Sequence, residues 1–290
     1  MPENQKNHKR QLFSRKKLMI SRHRARYFDL DNKIYNHISE DISYRLSEIN
    51  RLFQSVLIIT KNKNIQSFNL SKKNKNEPLI ISPINFDIHN SKIVDDEEII
   101  KLEDNSFDLI ISDLIIHTSN NFQASLDRIK SLLKPDGLMI ATLFGTDTLN
   151  ELKYSLIEAE EKVTGNTYPR INPFIDIKSA GDLLYNSGFK LCVSDNYRIE
   201  VKNKNPLELI KLIRSMGENN YINLDKPNIT KKIWEITSNL LREKSGDLDL
   251  ITSTFEIITL TGWKFHQSQQ KPLAPGSAKM NLRDVLKDSS

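Results

Sequence analysis

Glycine is scarce in this chain of 290 residues: there are nine, and none precedes Gly137. A glycine turn lets backbone N–H groups approach a phosphate or ribose closely. Its absence removes a GxGxxG dinucleotide turn from the first half of the chain, and no GxxxxGK[ST] loop occurs anywhere. The single cysteine, Cys192, excludes an internal disulfide and is compatible with a reducing compartment. It falls in the strand-like KLCVSD, where a small buried apolar residue is the simplest reading. Six histidines, at 8, 23, 37, 89, 117 and 266, show no metal-ligand spacing, so with one cysteine no zinc site is expected. GxSxG is missing too, which argues against a serine hydrolase. No window approaches 18 uninterrupted apolar residues, so no membrane span is expected. What remains is an ordinary globular balance, 38% hydrophobic and 27% charged, over a length that suits one substantial core with a small appended subdomain.

Charge is unevenly placed. Residues 1–26 hold nine Lys and Arg against Glu3, a net of +8 in a chain whose total is +5, so the remainder nets −3. This basic N-terminal arm could meet nucleic acid, anionic lipid or an acidic partner, but a solvated charge run is the plainer expectation, and nucleic acid is not expected as a partner. No apolar stretch follows the arm, so a secretory signal is not expected, while charge alone leaves a mitochondrial presequence open. Abundant Lys, Asn and Ile beside few Gly point to an AT-rich bacterial genome and a cytoplasmic protein, peripheral to a membrane only through a partner.

The most legible stretch is Phe107 to Gly145. Asp108 to Ser112 is a continuous apolar run between polar flanks, as in a strand covered on both faces. Leu126, Ile129, Leu132 and Leu133 form a helical stripe, Pro135, Asp136 and Gly137 turn the chain, and Leu138 to Phe144 reads as a second buried strand. Strand, helix and strand predict a crossover in a doubly wound α/β sheet, whose site lies at the carboxyl ends of the strands, here Ser112 to His117 and Phe144 to Thr148. Upstream, Ile34, Ile38, Ile42, Leu46 and Ile49 predict a helix of 18 to 20 residues starting near Asp31, Ser55 to Thr60 a first strand, and Pro78 to Ser82 a second. Downstream, Asp147 reads as the cap of a helix along Leu149, Leu152, Leu156, Ala159 and Val163. Asp176 caps a short helix ending at Gly188, Phe189 to Val193 returns as strand, Asn205 and Pro206 open a helix closed by Gly217, and Thr230 to Arg242 is amphipathic. Thr254 to Phe265 alternates like a strand that pairs antiparallel with Phe189 to Val193.

FDLIIS, LKPDG and LFG resemble the second half of the class I S-adenosylmethionine-dependent methyltransferase fold of the type 11 kind. SRKKLMISRHRAR, FGTDTLNEL, PRINPF, SMGENN and GWKFHQSQQKP resemble segments of the respiratory complex I assembly factors that share this fold, so the likeness runs from about Leu12 to Lys271. It implies a mostly parallel seven-stranded sheet with an antiparallel last strand, an N-terminal helix and helical insertions. The implied layout is a basic arm over 1–26, a methyltransferase-like domain over 27–271 with its helical insertion at about 146–245, and a tail over 272–290. It also implies S-adenosylmethionine as cofactor and a protein substrate or complex I subunit as partner, with methyl transfer or arginine hydroxylation as the reaction. By the same resemblance Thr60, Asn62, Ser82, Asp96 and Ser112 fall at cofactor-side positions, Asp96 where the family places an adenine contact. His117, Asp147, Trp263 and His266 fall on the substrate side.

The residues themselves pull against the cofactor. The loop after the first strand, Thr60 to Asn64, holds no glycine, so Cβ atoms and lysine stems obstruct close backbone approach. The second strand ends in Ser82 and Pro83, not in an acid able to bind ribose hydroxyls. The sequence therefore reads as a methyltransferase-type protein with a degenerate cofactor loop. Its alternative is a non-catalytic assembly chaperone; a basic-armed nucleic-acid binder is remote. No catalytic base is assigned.

Overall fold

The structure is a computed structural model that describes residues 11–28, 33–63, 68, 70, 76–83, 91–93, 101–245 and 250–270. Its elements in chain order are α1 (Arg15–Ala25), α2 (Lys33–Glu48), β1 (Val56–Thr60), β2 (Leu79–Ser82), β3 (Ser91–Ile93), β4 (Phe107–Asp113) and a 3-10 turn (Ile116–Thr118). There follow α3 (Phe122–Leu132), β5 (Leu133–Phe144), α4 (Asn150–Thr164), α5 (Ile177–Asn186), β6 (Lys190–Asn203), α6 (Pro206–Ser215), α7 (Lys231–Ser245) and β7 (Ile251–Trp263). Seven strands form one sheet in the order β3-β2-β1-β4-β5-β7-β6. Strands β3, β2, β1, β4 and β5 run parallel, and β7 lies antiparallel between β5 and β6.

Strand periodicity explains the continuous apolar runs. Val56, Ile58, Leu109, Ile111, Leu138 and Ile140 enter one core with the apolar stripes of α2, α4 and α6. Their neighbours Leu57, Ile59, Ile110 and Met139 enter the other with α3 and α5. Both faces are covered, so every second residue is as apolar as the one before it. Helix α2 presents Ile34, Ile38, Ile42 and Leu46, the stripe read from the sequence. The caps at Asp176 and Asn205 hold: each side chain accepts from backbone N–H groups in the first turn, and Gly217 takes φ +70° where α6 ends.

Four expectations need correction. Residues 15–25 of the basic arm are not a solvated run but helix α1, capped by Ser14, with Leu18, Ser21, Arg22 and Ala25 buried. Its charges are so dense that no amphipathic stripe shows in the sequence. Phe13 anchors it, edge-on to Tyr221 at 5.0 Å, while Ser14 N–H donates to Tyr221 O at 2.8 Å. Strand β6 runs on to Asn203, far beyond Val193, because β7 pairs with it along its whole length. Strand β5 begins at Leu133, with Asp136 held left-handed at φ 62°, so LKPDG lies inside the strand's span. Asp147 is not the cap of α4: Leu149 stands there at φ 59° with no side-chain bond, and Asp147 pairs instead with Arg198 of β6.

Candidate functional site: a cleft closed by its own side chains

The strand order reverses between β1 and β4, and at such a switch point the carboxyl ends of two strands diverge to leave a crevice. Thr60 ends β1 and Asp113 ends β4. Thr60 Oγ1 donates to one Asp113 oxygen at 2.9 Å, and Thr142 Oγ1 of β5 donates to the other at 3.0 Å. The chain then turns sharply, with Leu114 fully buried at φ 50° and its N–H given to Thr142. Burial pushes the Asp113 carboxyl up to about 6, against the two hydroxyl bonds and the charge of Lys61.

Lys61 follows Thr60 where the fold would carry its glycine turn. Its side chain has no exposed surface and crosses the crevice to an ion pair with Glu218, which sits just beyond α6. Glu218 also accepts from Tyr221 Oη at 3.2 Å and lies 3.3 Å from His117 Nε2. Burial alone would raise the Glu218 carboxyl, but Lys61 and His117 outweigh it and hold the group down at about 2. Burial lowers Lys61 and His117, and Glu218 opposes the fall in both. From the other side α1 inserts Arg22, 1% exposed, whose Nη2 donates to Thr118 Oγ1 at 3.0 Å. Two buried cations, Lys61 and Arg22, thus stand with two buried acids, Glu218 and Asp113. The cluster balances its own charge, which is how ionised groups survive in a low-dielectric interior.

The sequence-predicted residues divide. Thr60 and Asn62 lie at the crevice, and Asn62 N–H donates to Thr60 Oγ1 at 2.9 Å. Ser82 is buried at the end of β2, and Ser112 is fully buried one residue before Asp113, its hydroxyl without a partner among the described residues. Asp96 and Asn64 lie outside the described residues. His117 belongs to the cluster, packed edge-on to Phe144 at 5.2 Å and near Phe174 at 5.9 Å. Asp147 lies at the β6 side of the mouth through its pair with Arg198. Trp263 and His266 are corrected outright. Strand β7 is antiparallel, so its last residue pairs with Leu138 at the start of β5, and both aromatic rings sit at the end of the sheet opposite the crevice. Sequence reading missed Glu218, Arg22, Tyr35 and Asp113. Only Glu218 left a signal, as the acid following the α6 glycine in SMGENN.

These residues do not fit S-adenosylmethionine. A sulfonium and an α-ammonium would meet the Lys61 ammonium already paired with Glu218, and a nucleoside would find Ser82 in place of a carboxylate. Beside Glu218, apart from the β1–β4 crevice, lies a separate cavity of about 210 Å³.

A doubly wound sheet in this order, with its polar cluster at the β1–β4 switch point, defines the class I methyltransferase fold. Comparison with known proteins agrees. Residues 64–188 match the methyltransferase domain family. The mitochondrial arginine-hydroxylase NDUFAF5 of Dictyostelium discoideum is 38% identical over 198 residues, which is 67% of this chain and 45% of that protein. Its human counterpart is 34% identical over 196 residues, 67% of this chain and 57% of that protein. The chain thus spans about half the length of these curated relatives. RP459 of Rickettsia prowazekii, provisionally named a methyltransferase, is 35% identical over 60% of this chain and 76% of its own length. The YcgJ protein of Bacillus subtilis superposes with a TM-score of 0.50 at 11% identity, over 79% of this chain and 99% of that one. The chain belongs to the S-adenosylmethionine-dependent methyltransferase family.

Proposed function

We propose that this chain is an assembly factor of the respiratory complex I type that engages a protein partner through its methyltransferase fold without using S-adenosylmethionine. The observation that carries this is the buried Lys61–Glu218 pair, which fills the crevice beyond β1 with the chain's own side chains. Likeness to the arginine hydroxylases supports the protein partner. No described helix is long and apolar enough to cross a membrane. That accords with a place in the bacterial cytoplasm, with membrane contact only through the partner. Helix α1 joins the arm to the domain, which we take to run to about residue 271 before a tail over 272–290.

A second reading keeps the cofactor, with methyl transfer or arginine hydroxylation as the reaction. It is favoured by buried hydroxyls in the crevice, those of Ser112 and Tyr35, which have no partner among the described residues. Calorimetric titration separates the two. No heat with S-adenosylmethionine at millimolar concentration is expected for the natural chain, and micromolar binding would overturn the proposal.

A further inference from the structure

The cavity beside Glu218 has a chemistry that the crevice does not share. Its floor is apolar, built from Phe144, Leu152, Leu156, Phe255 and Met216, with Trp234 at one side. Its rim is cationic, carrying Arg170 and Lys226, and the two are not equivalent. Arg170 Nε and Nη2 both donate to Glu160 Oε1, at 2.8 and 2.6 Å, and Glu160 Oε2 accepts the Tyr168 N–H at 3.0 Å, so that acid is fully committed. Among the described residues Lys226 Nζ has only neutral acceptors, Pro169 O at 2.8 Å and the side-chain oxygen of Asn220. Lys17 acts on it as well, and the acid whose charge reaches it among the described residues is Glu160, already held by Arg170. A half-buried ammonium with no ion-pair partner among the described residues, at the mouth of an apolar cavity, is a demand for an anion carried on an apolar body.

We propose that this cavity is a binding site for an apolar monocarboxylate, with its ring or short chain on the Phe144–Leu156 floor and its carboxylate on Lys226. Size sets the class. A cavity of about 150 Å³ lined by such side chains takes a benzene ring, so about 210 Å³ takes a ring or short chain with a little to spare. Glu218 at the inner end repels a carboxylate from the floor, which fixes the orientation. The same chemistry is found in a free acid and in the terminal carboxylate of a protein ending in a large apolar residue. The site is independent of the proposed partner.

Lys226 adds a readout that simple greasy adsorption lacks. Burial, Arg170 and Lys17 bring its ammonium down to about 8, with Glu160 opposing. A bound carboxylate restores the charge, so binding at pH 8 takes up about half a proton.

The test is calorimetry on the full chain with 3-phenylpropionate and octanoate, with their primary amides, and with short peptides ending in phenylalanine as acid or amide. At least one carboxylate is expected to bind with a Kd of about 0.1–1 mM, its amide at least tenfold more weakly. Lys226→Gln, a substitution at a half-exposed position, weakens the acid by about tenfold and abolishes the proton uptake. Binding of the peptide acid alone assigns the site to a protein terminus, and binding of the free acids alone assigns it to a small molecule. Absence of binding by every acid, equal binding of acid and amide, or an unchanged Kd in Lys226→Gln would each overturn the proposal.

Discussion

Replacing Lys61 with methionine tests whether the crevice is closed. The ion pair is almost wholly buried, with side-chain exposures of 0% for Lys61 and 4% for Glu218, so solvent screening does not dilute it. Removing one partner of such a pair leaves a carboxylate in a low-dielectric interior, typically about 3–5 kcal/mol less stable. His117, 3.3 Å from Glu218, softens this by taking a proton. The variant removes the Lys61 charge, one of the influences that hold the His117 pKa down, so proton uptake by His117 at lower pH offsets part of the loss and that offset fades as pH rises. Lys61→Met is therefore expected to cost about 3 kcal/mol or more at pH 7 and less at pH 5.5. The double variant Lys61→Met with Glu218→Gln has no stranded charge and recovers most of the loss, giving a coupling energy of at least roughly 2 kcal/mol in the double-mutant cycle. Urea unfolding with linear extrapolation reads all four proteins. A single-variant cost below about 1 kcal/mol would mark the pair as wet, in the range of exposed ion pairs, and the claim of a closed crevice would fail.

Other outcomes follow from the same geometry. Asp113 titrates at about 6 when folded against 3.8 unfolded, so its ionisation makes stability fall as pH rises from about 4 to 6. Asp113→Asn should flatten that fall, by at most roughly 3 kcal/mol across the window, in pH-dependent denaturation of both proteins. A parallel pair of profiles would show that burial does not govern the group. Phe13→Ala removes the edge-on contact with Tyr221 from a small cluster that also holds Leu18. It should cost about 3 kcal/mol and raise hydrogen exchange over residues 12–25 before the sheet is affected. Uniform exchange would mean that α1 is no separable unit.

The sheet was legible because burial on both faces turns a strand into an unbroken apolar run, as at Leu109, Ile110 and Ile111. The helices of one-sided burial declared themselves by spacing, and Asp176, Asn205 and Gly217 marked ends that the structure keeps. Helix α1 was not legible. Its contacts are distant, with Thr118 about 100 residues away and with Tyr221 and Asn219 about 200 away, and its buried Arg22 counts as solvated charge in any local reading. Nothing near Lys61 in the sequence names Glu218, 157 residues on, as the group that receives it. Trp263 and His266 were misplaced for a topological reason: following the last strand locates a residue only once that strand's direction is known, and β7 runs against its neighbours.

The roof of the crevice is tied across the whole chain, Lys17 to Ile222 and Lys61 to Glu218. Contacts so distant in sequence close late, after the local ones have been made. During synthesis the first five strands leave the ribosome before α6 and its following glutamate exist, so Lys61 and Arg22 wait in water with Asp113 alone of the cluster's two acids to oppose them. The amino-terminal helix is thus among the first segments made and among the last to dock, and a nascent chain halted before residue 218 would display an open, positively charged groove.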